Sequence, residues 1–419
     1  MGLATAVLLL AAAFRLVALH DVPPGLSQDE VFNAGMVPFI LEGNHALFFR
    51  EAFGHEPLYH YWTIPFQLLL GDNWLAARLP TVVLGMLLVS LLLAWGRREF
   101  GVEAALIAAI FVAISWWPMV FSRIGLRPIM LPVFLLLFAW FWPKRPLWAG
   151  VWLGLSLYTY TAARVVFLIP VLMAILFGIQ YSVISNQSKN RIPNTEYRIL
   201  KSSLIVLITS LLIYAPIGIT LWLDPSLQTR VADLSGPLDA LRAGEWGPIL
   251  ETTRLTLGVF SFTGDPRWTY TLPDRPLFAP LTAVFFWLGF GITLLRWRSP
   301  RYAFLLVWLG VGLLPSAITP DAPSTVRIVV AIPPTFIILS IGFAIVWEVL
   351  TEIAILIPEG RGLSANRFWA IIPHEEGDED EAEEMQTYLA SLHKPSRLLF
   401  AVPAPLGYYA IMFVAIFTF

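Results

Sequence analysis

Apolar runs of about 20 residues recur along nearly the whole chain, and they constrain the fold more than any other feature. A helix that crosses a bilayer needs roughly 20 such residues. The 419 residues are 57% hydrophobic and only 13% charged, more apolar surface than one water-soluble core could bury. The sequence therefore predicts an all-α, polytopic membrane protein with about eleven spans, near residues 2–19, 74–95, 103–121, 128–142, 147–160, 165–181, 202–223, 279–295, 302–318, 326–349 and 398–419.

Charge and cysteine content exclude several classes of function. The formal net charge of −2 argues against a nucleic-acid partner, because such proteins usually present a basic patch. The absence of cysteine excludes a disulfide framework, a thiolate nucleophile and a Cys-ligated metal. The first apolar run lacks a basic n-region and a clear cleavage site, so we expect a retained first span instead of a signal peptide.

The short loops alternate in charge, which predicts the orientation. Cytoplasmic loops are enriched in Lys and Arg, and every second loop here is basic. The cytoplasmic side would therefore hold the N-terminus and the loops that carry Arg97, Arg98, Lys144, Arg145, Lys189, Arg191, Arg198, Lys201, Arg296, Arg298 and Arg301. The loops 20–73, 122–127, 161–164, 224–278 and 319–325 would lie outside.

We expect three parts in the chain. Residues 1–350 would form a transmembrane catalytic domain that includes the outer loops 20–73 and 224–278. Residues 351–396 would form a partly disordered cytoplasmic connection with a solvated acidic run at 374–385, and residues 397–419 the last transmembrane helix. The aromatic segment 57–71 is too short for a span and predicts a helix at the outer interface.

The predicted outer loops collect the ionisable residues. The first loop holds the adjacent carboxylates Asp29 and Glu30 and the pair His55 and Glu56, and the later loops hold arginines against the positive-inside trend. This set suits a reaction in which a base takes a proton and a phosphate leaves. The arginines are Arg123, Arg127, Arg164, Arg267 and Arg327.

Each of these residues also has a structural explanation. Ser27 and Glu30 have the spacing of a capping box, which would account for Glu30 but not for Asp29. A lone His-Glu pair is a weak metal signal, since catalytic zinc usually has three protein ligands. Arginines near span ends, including Arg15 in the first span, could reach the lipid headgroups by snorkelling.

The motifs resemble those of a known superfamily. A "DE" pair in the first outer loop, then "GHEPLYHYW" and "ARLPTVVLG", is similar to the GT-C membrane glycosyltransferases, chiefly the protein O-mannosyltransferase branch with the lipid A aminoarabinose transferases as relatives. The resemblance runs to about residue 349 through "SRIGLRPIMLP", "YTYTAARVVFLIP", "FTGDPRWTYTLPDRPLFAPLT" and "STVRIVVAIP". Leu58 replaces one of two family prolines, and His55 stands where the aminoarabinose transferases have a metal-binding Glu.

The resemblance implies an inverting glycosyltransferase of the GT-C type. It would move a sugar from a polyprenyl-phosphate donor to an acceptor hydroxyl on a protein, lipid or glycan, outside the plasma or inner membrane. Asp29 would be the base, with Glu30 beside it, and His55 and Glu56 would be substrate or metal candidates. A divalent metal ion stays open. The phosphate-binding residues would be Arg127, Arg164 and Arg327, with Arg123 and Arg267 next.

Two other classes of function stay open at this point. A transporter or flippase would need ionisable residues buried in mid-span, and this sequence mostly crowds them into the loops of one side. A polysaccharide ligase or polymerase would use a diphosphate lipid donor instead of a monophosphate. The identity of the donor distinguishes these readings.

Overall fold

A computed structural model describes residues 2–51, 54–187, 194–228 and 234–359. Within those ranges the regular structure is helical, apart from one isolated antiparallel bridge between Phe49 and His55. The predicted all-α class is therefore confirmed. The predicted last span at 398–419 and the acidic run at 374–385 lie outside the described residues.

Most helices follow the predicted apolar runs, whereas the helices at Gln28–Leu41, Gly236–Arg242 and Gly247–Gly258 lie in the predicted outer loops. In chain order they are α1 (Gly2–Leu16), α2 (Gln28–Leu41), α3 (Leu58–Leu70), α4 (Trp74–Phe100), α5 (Val102–Ile114), α6 (Trp116–Arg123), α7 (Met130–Phe141), α8 (Pro146–Ser156), α9 (Leu168–Gln187), α10 (Asn194–Leu223), α11 (Gly236–Arg242), α12 (Gly247–Gly258), α13 (Pro280–Leu295), α14 (Pro300–Ala317) and α15 (Ile332–Glu359). Short 3₁₀ segments lie at Arg127–Ile129, Thr161–Phe167, Pro225–Gln228 and Val329–Ala331.

Several of these helices can cross a membrane. By length and composition, the described residues contain 5 such helices, or 6 if α5 and α6 together form one broken span. Shorter apolar helices occur at Gly2–Leu16, Arg127–Phe141 and Pro280–Leu295. The chain is a multi-pass membrane protein, and the count of about eleven spans stays a prediction.

The predicted span at 103–121 is not one straight helix. It is broken at Ser115, and α5 and α6 meet at a bend of 55°. Ser115 has extended backbone angles, and Pro118 lies in the first turn of α6, where its missing N–H costs no helical hydrogen bond.

This break explains why Arg15 does not snorkel to the headgroups, contrary to expectation. The last carbonyls of α5 lose their helical partners at the break. The Arg15 guanidinium donates to Ala113 O at 3.0 Å and to Val112 O at 3.2 Å. Arg15 is 0% exposed, so it caps a neighbouring helix inside the protein.

The core is organised around α5. Every residue from Ala104 to Ile114 is buried, because α5 packs against α1, α4, α6 and α15. On the other side of the bundle α8 packs against α7 and α10. A helix that is apolar all round needs such complete enclosure by neighbours.

A close helix crossing joins α13 and α15 through two glycines. A Cβ added to Gly289 would overlap the Ile338 carbonyl oxygen, and one added to Gly342 would overlap the Phe285 carbonyl oxygen. Small residues at such a crossing let two helix backbones approach directly, as in membrane helix pairs.

The predicted interfacial segment 57–71 is a helix, α3. Its inner face buries Tyr59, His60 and Thr63, while Leu68 and Leu69 are 65% and 83% exposed. The helical assignment is confirmed. Its position relative to the bilayer stays a prediction.

The loops predicted to share the outer side meet one another at one end of the bundle. Asn33 Nδ2 donates to Gly125 O at 2.7 Å, which joins the first and second of these loops. Thr325 N donates to Asp265 Oδ2 at 2.7 Å, which joins the last two. These contacts bring the candidate site residues into one region.

The predicted cytoplasmic loops also meet, at the other ends of the same helices. Ser202 Oγ donates to Pro143 O at 2.9 Å, and Arg301 Nη1 donates to Glu99 O at 3.2 Å. The bundle therefore has one end rich in carboxylate–arginine contacts and another rich in basic loops.

Candidate active site

The N-terminus of α2 places Asp29 and Glu30 in different environments. The predicted capping box is present: Glu30 N donates to Ser27 Oγ at 3.3 Å, and Ser27 N donates to Glu30 Oε2 at 2.8 Å. This reciprocal cap turns Glu30 back toward the start of the helix. Glu30 is 1% exposed, whereas Asp29 is exposed.

Glu30 is fully engaged in holding the first outer loop. Its Oε1 accepts from Arg78 Nε at 2.8 Å and from Gly125 N at 3.2 Å. The rest of the Arg78 guanidinium donates to the carbonyls of Leu19, Pro23 and Gly25. Glu30 thus positions the loop, and its predicted catalytic role stays a prediction.

Asp29 lies at the mouth of a small cavity on the end where the outer loops meet. The cavity has a volume of about 40 Å³. Tyr270 Oη donates to Asp29 Oδ2 at 3.1 Å, which fixes the orientation of the carboxylate. The lining residues are Asp29, Asn33, His55, Leu126, Arg127, Pro128, Tyr160, Tyr270 and Val326.

Arg127 supplies the positive charge of this cavity. Its Nη1 donates to Glu56 Oε2 at 2.9 Å, and its guanidinium lies 5.5 Å from the centre of the Tyr160 ring. Thr161 Oγ1 donates to the other oxygen of Glu56 at 2.8 Å. Arg164 Nη2 lies 4.0 Å from that same oxygen. Glu56 therefore holds Arg127 and attracts a second arginine.

The other predicted arginines do not line the cavity. Arg123 donates to the carbonyls of Phe14, Val17, Ala18 and Val22, so it ties α6 to the end of α1. This use of its donors makes a staple between backbone segments.

Arg267 and Arg327 form a separate group around Asp321. Arg267 donates to Asp321 Oδ2, and Arg327 Nη2 lies 4.0 Å from the same oxygen. Arg327 Nη1 also donates to Thr319 Oγ1 at 2.8 Å. Arg327 follows Val326, a lining residue, so this group adjoins the cavity without lining it.

His55 faces the cavity and stacks on a second histidine behind it. The two rings are 5.3 Å apart, and His55 Nδ1 lies 3.2 Å from His60 Nε2. Burial, and next the charge of Arg127, lowers the pKa of His60 to about 3. His60 is therefore neutral at physiological pH, and its buried Nδ1 has no hydrogen-bond partner among the described residues.

The described residues hold no group of three or more His, Asp or Glu side chains that could bind a metal ion. Asp29 and His55 both line the cavity but provide one carboxylate and one imidazole. Catalytic zinc sites usually have three protein ligands, so the residues present do not complete one.

A larger cavity of about 670 Å³ lies beside the first. Its lining is mostly apolar and comes from the end of α1, the loop before α2, α6 and residues 268, 269 and 271, with Glu30 and Arg123 as its charged members. Trp268, Thr269 and Thr271 line the large cavity, whereas Tyr270 between them lines the small one. Residues 268–271 therefore separate an apolar space from a charged one.

Sequence reasoning missed Arg78, Asn33, Tyr160 and Tyr270. A usable signal existed for Arg78, because a charge inside an apolar span needs a partner. Tyr270 carried no such signal, because 241 residues separate it from Asp29 in the sequence.

No protein-family model matches the sequence, and no curated protein matches it. Solved structures do share the fold. The Archaeoglobus fulgidus oligosaccharyltransferase, solved in complex with Zn and sulfate, is 14% identical with a TM-score of 0.50, over 94% of this chain and 56% of that one. ArnT from Cupriavidus metallidurans, in the apo state, is 14% identical with a TM-score of 0.50, over 82% of this chain and 62% of that one.

The chain has the GT-C fold. Both solved proteins are GT-C glycosyltransferases, which confirms the fold that the motifs implied. The chain spans less than two thirds of the length of either. At this identity the GT-C likeness concerns the fold, and the activity rests on the site.

Proposed function

We propose that the chain is an inverting glycosyltransferase that moves a sugar from a polyprenyl-phosphate donor to an acceptor hydroxyl. The observation that carries this proposal is that Asp29 and Arg127 line one cavity. A carboxylate can accept a proton from an attacking hydroxyl, and a guanidinium matches the oxygens of a phosphate. Both groups that the reaction needs therefore have access to the same substrate.

In the proposed reaction the acceptor oxygen attacks the anomeric carbon as Asp29 takes the hydroxyl proton. The bond between that carbon and the phosphate oxygen breaks, and its electron pair leaves with the phosphate. The products are the inverted glycoside and polyprenyl monophosphate. Tyr270, which donates to Asp29, would keep the other carboxylate oxygen directed at the acceptor.

Arg127 would stabilise the charge that builds up on the departing phosphate. Glu56 holds Arg127 in place and Arg164 near it, so Arg164 would make the second contact. Arg327 lies at the same end of the bundle, next to the cavity. Arg123 and Arg267 remain further candidates for binding the donor phosphate. The oxygens of the Glu56 carboxylate are occupied, which suits a positioning residue.

The large apolar cavity would take the isoprenoid part of the donor. It adjoins the small charged cavity across residues 268–271. A lipid-linked sugar needs such a pair of spaces, because its head is polar and its chain is not.

The proposed location is the plasma or inner membrane, with an extracytoplasmic site and a cytoplasmic N-terminus. The alternation of basic loops supports this orientation. The proposed organisation keeps a catalytic domain at 1–350, a cytoplasmic connection at 351–396 and a final span at 397–419. The sugar would be a hexose or a pentose, and the acceptor a hydroxyl of a protein, lipid or glycan.

A divalent metal would have to complete its coordination with groups other than the described side chains. The proposed steps therefore use Asp29 and the arginines alone.

The test compares Asp29→Asn with Asp21→Asn in purified protein supplied with a polyprenyl-phosphate sugar. Asp21 is also an exposed carboxylate, and it does not line the cavity. Loss of a general base costs about 10²–10⁴ in turnover, so we expect that loss for Asp29→Asn and wild-type turnover for Asp21→Asn. Turnover of Asp29→Asn within about twofold of wild type, with unchanged melting, would remove Asp29 as the base.

The same assay separates the competing functions. Transfer from the monophosphate donor supports the proposal. Transfer only from a diphosphate donor would identify a ligase or polymerase. Movement of the lipid across vesicles without release of polyprenyl phosphate would identify a flippase.

A further inference from the structure

A cavity with three basic side chains in its lining lies at the end of the bundle opposite Asp29. It has a volume of about 210 Å³ and forms where the end of α4, the loop after α7 and the starts of α10 and α14 meet. Three basic side chains line it: Lys144, Arg198 and Arg301. Each comes from a different loop or helix end, so the fold itself brings these three charges together.

The charge of this cavity is not neutralised within the described part of the chain. The only carboxylate on its wall is Glu99, and Glu99 already accepts from Arg98 Nε at 2.6 Å. No described carboxylate forms an ion pair with Lys144, Arg198 or Arg301. Like charges that converge without a counter-charge favour an anionic ligand.

Two buried polar atoms on the same wall also lack partners. Trp142 and Ser299 are 6% and 5% exposed and line the cavity. Neither Trp142 Nε1 nor Ser299 Oγ has a hydrogen-bond partner among the described residues. Buried polar groups are nearly always paired in native proteins. An acceptor on a bound ligand would therefore account for both of these unpaired donors.

The wall between the charges is aromatic. Trp142 stacks on Phe304 at 4.7 Å, and Phe304 lies 6.3 Å from Trp95. These rings belong to the ends of apolar helices, where the acyl region of a bilayer gives way to its headgroups. A free phosphate has no apolar part that could contact these rings. A lipid has a phosphate for the basic side chains and a glycerol–acyl portion for the aromatic wall.

We propose that this cavity binds the phosphate of an anionic glycerophospholipid. Lys144, Arg198 and Arg301 supply the charge, and Trp142 Nε1 and Ser299 Oγ supply donors for the phosphate oxygens. The site is separate from the Asp29 cavity, so its occupancy does not depend on the proposed transferase activity. It would tie the end of α4, the loop after α7 and the starts of α10 and α14 to the leaflet in which the lipid lies.

The test is native mass spectrometry of the purified full chain, titrated with dioleoyl phosphatidylglycerol or dioleoyl phosphatidylcholine. The two lipids share acyl chains and differ in net charge. The test variant is Lys144→Gln with Arg198→Gln, because both side chains are exposed and neither forms an ion pair with a described residue. The control is Arg145→Gln with Arg298→Gln, which removes the same charge from exposed neighbours that do not line the cavity.

We expect phosphatidylglycerol to bind wild type and the control at least tenfold more tightly than phosphatidylcholine. A basic residue near anionic lipid contributes roughly fivefold to binding, so the test variant should lose about thirtyfold. Melting temperatures report whether each variant is folded.

Three results would overturn the proposal. Equal affinity of wild type for the two lipids would show that charge is not recognised. An equal loss in test and control variants would indicate diffuse surface charge instead of a site. Displacement of phosphatidylglycerol by inorganic phosphate at equal concentration would assign the cavity to a free anion.

Discussion

Two buried carboxylate–guanidinium pairs lie near the proposed site, and they differ in what surrounds them. In the Glu30–Arg78 pair both side chains are 0% exposed, and the remaining Arg78 donors are taken by backbone carbonyls. In the Glu56–Arg127 pair Arg127 lines a cavity and Glu56 also attracts Arg164. The same chemical pair thus completes a fold in one place and leaves a charge accessible to a ligand in the other.

This difference teaches how to assign charged residues in such a chain. A carboxylate whose acceptor positions are filled by backbone N–H groups and one guanidinium has a positioning role. A guanidinium that faces a cavity with one carboxylate behind it can still bind an anion. Three predictions test this contrast, from the largest expected effect to the smallest.

The largest effect should come from Glu30→Gln. It leaves the Arg78 charge buried without compensation, and breaking a buried pair costs about 3–5 kcal/mol. We expect a large drop in the apparent melting temperature in detergent, with near wild-type turnover per folded molecule at low temperature. Glu42→Gln, an exposed change at the other end of α2, should melt like wild type. Unchanged melting with lost turnover would instead make Glu30 a catalytic residue.

An intermediate effect should come from pH, through His60 behind the cavity. Burial lowers the pKa of His60 to about 3, below the unfolded value of about 6.5. The folded state therefore binds fewer protons, and the stability from neutral His60 is complete above pH 6.5 and is lost as pH falls toward 3. At pH 4.5 the loss should reach about 3 kcal/mol, since each pKa unit is worth about 1.4 kcal/mol.

The measurement for His60 is melting of wild type and His60→Gln between pH 7.5 and 4.5. Wild type should lose more stability than the variant over this range, because only wild type has the imidazole to protonate. If wild type and variant lost the same stability with falling pH, His60 would have to be in contact with water, and so would the region around the Glu56–Arg127 pair.

The smallest effect compares two hydroxyls that donate to buried carboxylates. Thr161 donates to Glu56, the ion-pair partner of the lining residue Arg127, at 2.8 Å. Thr325 donates to Asp265, which forms no ion pair with a described lining residue, at 2.8 Å. A hydrogen bond to a charged group is worth about 1.5–3 kcal/mol, so Thr161→Val and Thr325→Val should destabilise similarly. Only Thr161→Val should also lower kcat/KM for the donor, by about tenfold, or roughly 1.4 kcal/mol. An equal loss of kcat/KM in Thr161→Val and Thr325→Val would show that the contacts of Glu56 have no special part in donor binding.

Local pattern was enough to predict the helices and the cap of α2. The apolar runs predicted most of the helices in the described part, but not α2, α11 and α12, which lie in the predicted outer loops. The spacing of Ser27 and Glu30 predicted the capping box. Both depend on residues a few positions apart. The bend at Ser115 was missed, because the apolar run continues through it and only packing of α6 against α1 and α4 distinguishes the two halves.

Pairing across the fold could not be predicted in the same way. The sequence placed Asp29, Glu56 and Arg127 on one side, but gave no means to decide which arginine faces which carboxylate. Arg127 and Glu56 are 71 positions apart, and Arg78 and Glu30 are 48 apart. Arg123 has the residue type and loop position predicted for a phosphate-binding arginine. Its N–H groups instead donate to backbone carbonyls at the end of α1 and in the loop that follows.

The Arg123 staple has a consequence for the order of assembly during synthesis. The terminal carbonyls of α1 have no partner within their own helix. The Arg123 guanidinium that donates to this end of α1 lies more than 100 residues downstream, 105 to 109 positions after Ala18, Val17 and Phe14. Because α1 is synthesised before α6, the end of α1 is solvated by water or headgroups until α6 has been inserted. Only then does the loop that carries Asp29 acquire the contacts that Arg123 provides.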